Sequence, residues 1–157
     1  MAKGKKRNKI VIIISKGTLD TAYPPLILAT TAAAMDIDVH LYFTFWGMTL
    51  LNKNKIDRLK VASVGNPNLP IPNIIGSIPG MTSIITTMMK KRIEKNWPPV
   101  REMITTAHNS GVKIHACSST MDVMEIKKDD LIPEVDDIIG ASTYIDHALD
   151  ADISLFI

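Results

Sequence analysis

A chain of 157 residues, 46% hydrophobic and 22% charged, is long enough to bury a proper core and too apolar for disorder. Its formal charge of +2 is set by one end: Lys3, Lys5, Lys6, Arg7 and Lys9 crowd the start, and without those five the 18 basic side chains fall to 13 against 16 acidic ones. The folded part therefore offers no basic field for nucleic acid, and residues 1–8 are expected to be a disordered basic tail before a single domain over 9–157.

No apolar run approaches the roughly 18–20 residues that span a bilayer, and the start lacks the apolar segment of a signal peptide. The chain has one cysteine, Cys117, which excludes an internal disulfide framework and CxxC chemistry within the chain. It also fits a reducing cytoplasm, the expected location.

In chain order, "KIVIIIS" (9–15) is a β-branched run of the kind buried on both faces of a parallel sheet. "TLDTAYPPLILATTAAAM" (18–35) predicts a helix with prolines near its first turn. "DVHLYFTFW" (38–46) predicts a second strand, and "GMTLLNKNKIDRLKVA" after it a short helix with an exposed basic end. Residues 64–80, "VGNPNLPIPNIIGSIPG", are rich in proline, glycine and isoleucine. They read as a long apolar loop, either a lid or an oligomer contact through Ile71, Ile74, Ile75 and Ile78.

Helices follow over 81–96 and over 99–111, the latter closed by Gly111. "VKIHAC" (112–117) is a third strand and "SSTMDVMEI" opens a helix. "KKDDLIPEV" is a turn, "DDIIGA" (136–141) a fourth strand, "STYIDHALDA" a helix and "ISLFI" (153–157) a last strand. Strands alternating with helices predict a three-layer, doubly wound, flavodoxin-like α/β fold with five mostly parallel strands.

In such a sheet, reactive groups collect at the carboxyl ends of the strands, where Cys117 falls. Ser118, Ser119 and Thr120 follow, and Ser119 with Asp122 has the spacing of a capping box. Unpaired N–H groups at a helix start favour an anion, so they lower a thiol pKa and can hold an anionic sulfur substrate. A buried, inert cysteine is the competing reading. His115, two residues upstream, shares a strand face with the thiol and reads as structural or as tuning it.

"SKGTLDT" (15–21) has too little glycine for a phosphate loop. It belongs on the same sheet edge, so Lys16, Gly17 and Thr18 are candidate substrate contacts. Met81, Met88, Met89, Met121 and Met124 raise soft-metal binding, but the spacing of Met121 and Met124 is equally that of core packing, which is the expectation. His40, His108, His115 and His147 show no ligand spacing, so neither a metal nor another cofactor is expected.

"GNPNLPIPNIIGSIPGM", "MMKKRIEK", "GVKIHACSSTMDVMEIKKDDL" and "SLFI" together resemble the DsrE/DsrF-like family over residues 9–157. The similarity is to the archaeal and bacterial branch associated with TusA and heterodisulfide-reductase-like genes. It implies a cytoplasmic, homo-oligomeric sulfur-transfer protein. Its Cys117 would carry sulfane sulfur as a persulfide, or thiosulfate as a thiosulfonate. The cargo would pass to a TusA-like carrier or a heterodisulfide-reductase-like complex. One departure is Glu125, where relatives often carry glycine, which bears on local helix packing. A thiol peroxidase or disulfide reductase, and a non-enzymatic anion- or nucleotide-binding module, remain the alternatives.

Overall fold

The computed structural model describes residues 8–62 and 80–157. The basic tail up to residue 7 and, apart from Gly80, the proline-rich loop over 64–80 lie outside them. The β-branched run forms β1 (Lys9–Ile14), which pairs in parallel with β2 (Asp38–Phe43) and β5 (Ile153–Phe156). Next to β2 lies β3 (Lys113–Cys117), and next to that β4 (Asp137–Ile139), giving the all-parallel order β4-β3-β2-β1-β5. Helices α1 (Leu19–Ala34), α2 (Met81–Ile93), α3 (Val100–Asn109), α4 (Ser118–Val123) and α5 (Ala141–Leu149) fill the crossovers.

The strand order decides where the helices lie. From β1 to β4 the chain steps in one direction across the sheet, and right-handed crossovers then put α1 and α3 on one face. From β4 it returns past β1 to β5, so the same handedness places α5 on the opposite face.

On the first face Ile12, Ile14, Val39, Leu41, Phe43, Ile114 and Ala116 pack against Leu26, Ala29, Ile104 and Ala107 in one buried cluster. Each large side chain there contributes about 1.5–3 kcal/mol of burial. The second face is different. Residues one step along, His40 and Tyr42 of β2 and His115 and Cys117 of β3, turn toward α5, whose side chains all stay at least partly exposed.

Two expectations are corrected. The second strand stops at Phe43, not residue 46: Thr44 is still extended, but the chain turns at Phe45, whose φ is 45°. The stretch after it keeps the expected exposed basic end, with Lys53, Lys55, Arg58 and Lys60 all exposed, but is not one regular helix. It forms two 3-10 turns, Phe45–Leu51 and Ile56–Arg58, which bury Met48, Leu50, Leu51 and Ile56. The prolines of α1, Pro24 and Pro25, fall in its second turn, close to the first as expected.

Candidate functional site

Cys117 ends β3 and is the N-cap residue of α4. A capping position normally holds a side-chain oxygen that accepts from the N–H groups two and three residues on. Here the thiol sulfur occupies it, which corrects the expected capping box at Ser119. The neutral thiol closes no cap hydrogen bond among the described residues, but its anion is well served. Partial burial pushes the thiol pKa up, and this is more than offset by the Thr120 hydroxyl and N–H, the Thr44 hydroxyl and the Ser119 N–H. The net result is a pKa below the ordinary thiol value.

Thr120 is buried and pivotal. Its Oγ1 accepts the Phe45 N–H at 3.1 Å and lies 3.0 Å from Thr44 Oγ1. The bond to Phe45 supports a backbone conformation that non-glycine residues rarely adopt, one residue after Thr44. Thr44 was not a candidate from sequence. The signal lay in the register: Phe43 pairs with Ala116, so the residue that follows β2 lies beside Cys117.

The sulfur opens on a cavity of about 150 Å³ lined by Ile13, Tyr42, Thr44, Ile139, Tyr144 and Phe156, among others. The lining is largely apolar. Ser118 is half-buried at its rim, near Gly140, and Ser119 is exposed.

The loop from 16 to 18 is held by local packing and capping. A Cβ on Gly17 would meet the Trp46 carbonyl oxygen at 2.1 Å, so this glycine permits close backbone packing. Gly47 does the same against the Ile14 carbonyl oxygen, also at 2.1 Å, and its N–H donates to Ser15 at 3.1 Å. The two glycines lock together the loops that follow β1 and β2. Thr18 caps α1, its hydroxyl 2.9 Å from that of Thr21. Lys16 is exposed, and none of the three lines the cavity.

Three of the histidines that lie far apart in sequence come together in space. His40, His115 and His147 present ring nitrogens within 4.8 Å of one another. His40 Nδ1 is 3.0 Å from His115 Nε2, and Tyr42 bonds through its hydroxyl to His147 Nδ1. Burial first, then the neighbouring His40, pushes the His115 pKa down to about 4. Its ring is therefore neutral at neutral pH. His108 lies apart, 3.6 Å from Asp136.

Residues 6–156 match the DsrE/DsrF/DrsH-like family. The chain belongs to that family. Among its DsrE-like relatives, it is 37% identical to the sulfur carrier protein DsrE2 of Allochromatium vinosum, a match covering 97% of this chain and 99% of the relative. It is 30% identical to the uncharacterized protein YrkE of Bacillus subtilis, over 98% and 99% of the two chains. Two solved structures share the fold. The ychN protein of E. coli has a TM-score of 0.58 at 13% identity, covering 96% of this chain and 99% of that one. A protein of unknown function, MTH1491 from Methanobacterium thermoautotrophicum, has a TM-score of 0.56 at 12% identity, covering 94% and 98%. Among the described residues no helix is long and apolar enough to cross a membrane.

Proposed function

We propose that this protein is a sulfur carrier that holds sulfane sulfur on Cys117 as a persulfide and delivers it to a partner thiol. The observation that carries the reading is the placement of a thiol with stabilised anion at the mouth of a small, largely apolar cavity. The similarity to a sulfur carrier of another organism supports it.

The Cys117 thiolate attacks the outer sulfur of a donor persulfide. A bond forms between the Cys117 sulfur and that atom, the donor's sulfur–sulfur bond breaks, and the donor leaves as a thiolate with the electron pair. An incoming partner thiolate reverses the exchange and returns Cys117 as thiolate, with no net oxidation. Thr44, Thr120 and the Ser119 N–H stabilise the thiolate on arrival and departure, and Ser118 borders the cargo. A cavity of this size and lining suits one sulfur atom better than a sulfonate group with three oxygens seeking donors.

The partners of this reading are a TusA-like carrier and a heterodisulfide-reductase-like complex in the cytoplasm. The exposed apolar residues Ile145, Leu149, Ile153 and Phe156 support a homo-oligomer.

Intact-mass spectrometry of the reduced protein after exposure to polysulfide, thiosulfate and tetrathionate tests the proposal. The expected product is a one-sulfur adduct from polysulfide, removed by a reductant and missing in Cys117→Ala. A folded protein that gains no adduct from any donor refutes the carrier reading. An adduct of thiosulfate mass alone refutes the persulfide preference. A Lys16→Met variant that loads more slowly would bring the 16–18 loop into the substrate path; unchanged loading confines Lys16 to the surface and Gly17 and Thr18 to packing and capping.

A further inference from the structure

We infer that His40, His115 and His147 form a binding site for a divalent transition-metal ion of the zinc class. The three side chains come from β2, β3 and α5, and their ring nitrogens gather on the sheet face opposite the apolar core. His115 is 3% exposed.

The hydrogen-bonding arithmetic of the two strand histidines requires more than neighbouring side chains supply. His40 Nε2 faces Asp38 Oδ1 at 3.4 Å, and His115 Nδ1 faces Asp137 Oδ2 at 3.8 Å. A carboxylate only accepts, so each outer nitrogen is best placed as an N–H. A neutral imidazole has one N–H. With both hydrogens outward, His40 Nδ1 and His115 Nε2 would aim lone pairs at each other across 3.0 Å.

A hydrogen shared between those inner nitrogens relieves the clash but strips one outer nitrogen. His115 Nδ1 is indeed buried and, among the described residues, without a hydrogen-bond partner. A cation bound by the inner nitrogens resolves the conflict at all four positions. Both lone pairs then meet positive charge, and both outer N–H groups turn to carboxylates. That is the arrangement in which second-sphere carboxylates orient metal-bound histidines. Asp38 and Asp137 also offset the charge of the ion.

Three imidazoles suit zinc, cobalt, nickel or copper rather than magnesium or calcium, which take oxygen. On binding, the ion replaces the His40–His115 hydrogen bond and ties α5, through His147, to the two central strands. The site does not use Cys117 and stands whether or not the thiol carries sulfur.

The test is calorimetric titration of the tag-free, reduced, full-length chain with Zn²⁺, alongside absorption spectra with Co²⁺ as the reporting ion. The expected result is saturable binding of one ion per chain, with visible Co²⁺ bands and no thiolate-to-metal charge transfer. Binding should be lost in His147→Ala and in His40→Gln, retained in Cys117→Ala, and weakened about 10–100-fold in Asp137→Asn. Circular dichroism confirms that each variant is folded, and His147 lies on a largely exposed helix, so its loss leaves the core intact. No saturable binding by the unaltered chain overturns the proposal. So does binding that survives both folded histidine variants, or binding that disappears with Cys117.

Discussion

Ile114 and Ala116 of β3 point into the dry cluster under α1 and α3, whereas His115 and Cys117, each one residue further along, face α5. The same alternation runs through β2, with Val39, Leu41 and Phe43 on one side and His40 and Tyr42 on the other. One set of strands thus serves two surfaces. The first has the apolar burial that holds a domain together, and the second has rings, hydroxyls and a thiol under a helix that buries little. Chemistry can sit on the second face because stability is supplied by the first.

The sharpest break in that comparison is Cys117→Ala. Covalent sulfur loading is expected to vanish completely in intact-mass spectra, while denaturant unfolding changes by less than about 1 kcal/mol. Leu41→Ala is the mirror experiment on the dry face. It should cost about 2–5 kcal/mol of stability in urea melts and leave loading normal per folded molecule. If Leu41→Ala abolished loading in the folded state, the two faces would not be separable.

Thr120→Val sharpens the distinction within the reactive face. Losing the acceptor for the Phe45 N–H should cost about 1–3 kcal/mol. The thiol pKa should also move upward, because a hydroxyl that favours the anion has gone. The sign is open to a direct check: alkylation of Cys117 by iodoacetamide should have its pH midpoint displaced to higher pH. The rate at neutral pH should fall, while the plateau at high pH remains.

The smallest expected effect concerns the end of α4. There Ile126 N–H donates to Met121 at 2.9 Å and Glu125 sits at φ 52°, a left-handed helix stop. At the end of α3 the same pattern is made with Gly111 at φ 93°, Val112 N–H reaching Ala107 at 3.1 Å. Glu125→Gly should therefore raise stability by about 1 kcal/mol in thermal melts, without altering loading.

The strands, the helix closed by Gly111 and the place of Cys117 at a strand end were legible in the chain, because each rests on local pattern: β-branched runs, a glycine stop, a strand-to-helix boundary. The buried run Met48–Leu51 was hidden because its neighbours Lys53, Asn54 and Lys55 give the stretch a surface composition. The role of Gly17 was hidden for another reason. It depends on the Trp46 carbonyl, a backbone group that composition does not reveal. Thr44 and the histidine cluster share a cause. Both arise from register between strands far apart in sequence, with His40 and His115 separated by 75 residues. The alternation "VHLYF" does mark His40 and Tyr42 as sharing a face, and that cue points toward the cluster. The return of α5 to that face, which brings His147, follows only once the strand order is known.

The position of β5 has a consequence for the protein's biosynthesis. It pairs with β1, and Lys9 N–H reaches Asp152 across 143 residues of chain. Contacts so distant in sequence form late, after a large loop has closed. Phe156 on β5 and Ile13 on β1 both wall the cavity of Cys117. While the chain is still being made, the thiol is therefore already in place on β3 but its enclosure is not. Until β5 docks, Phe156 is missing from the wall beside the cysteine, and the thiol is less enclosed than in the finished fold.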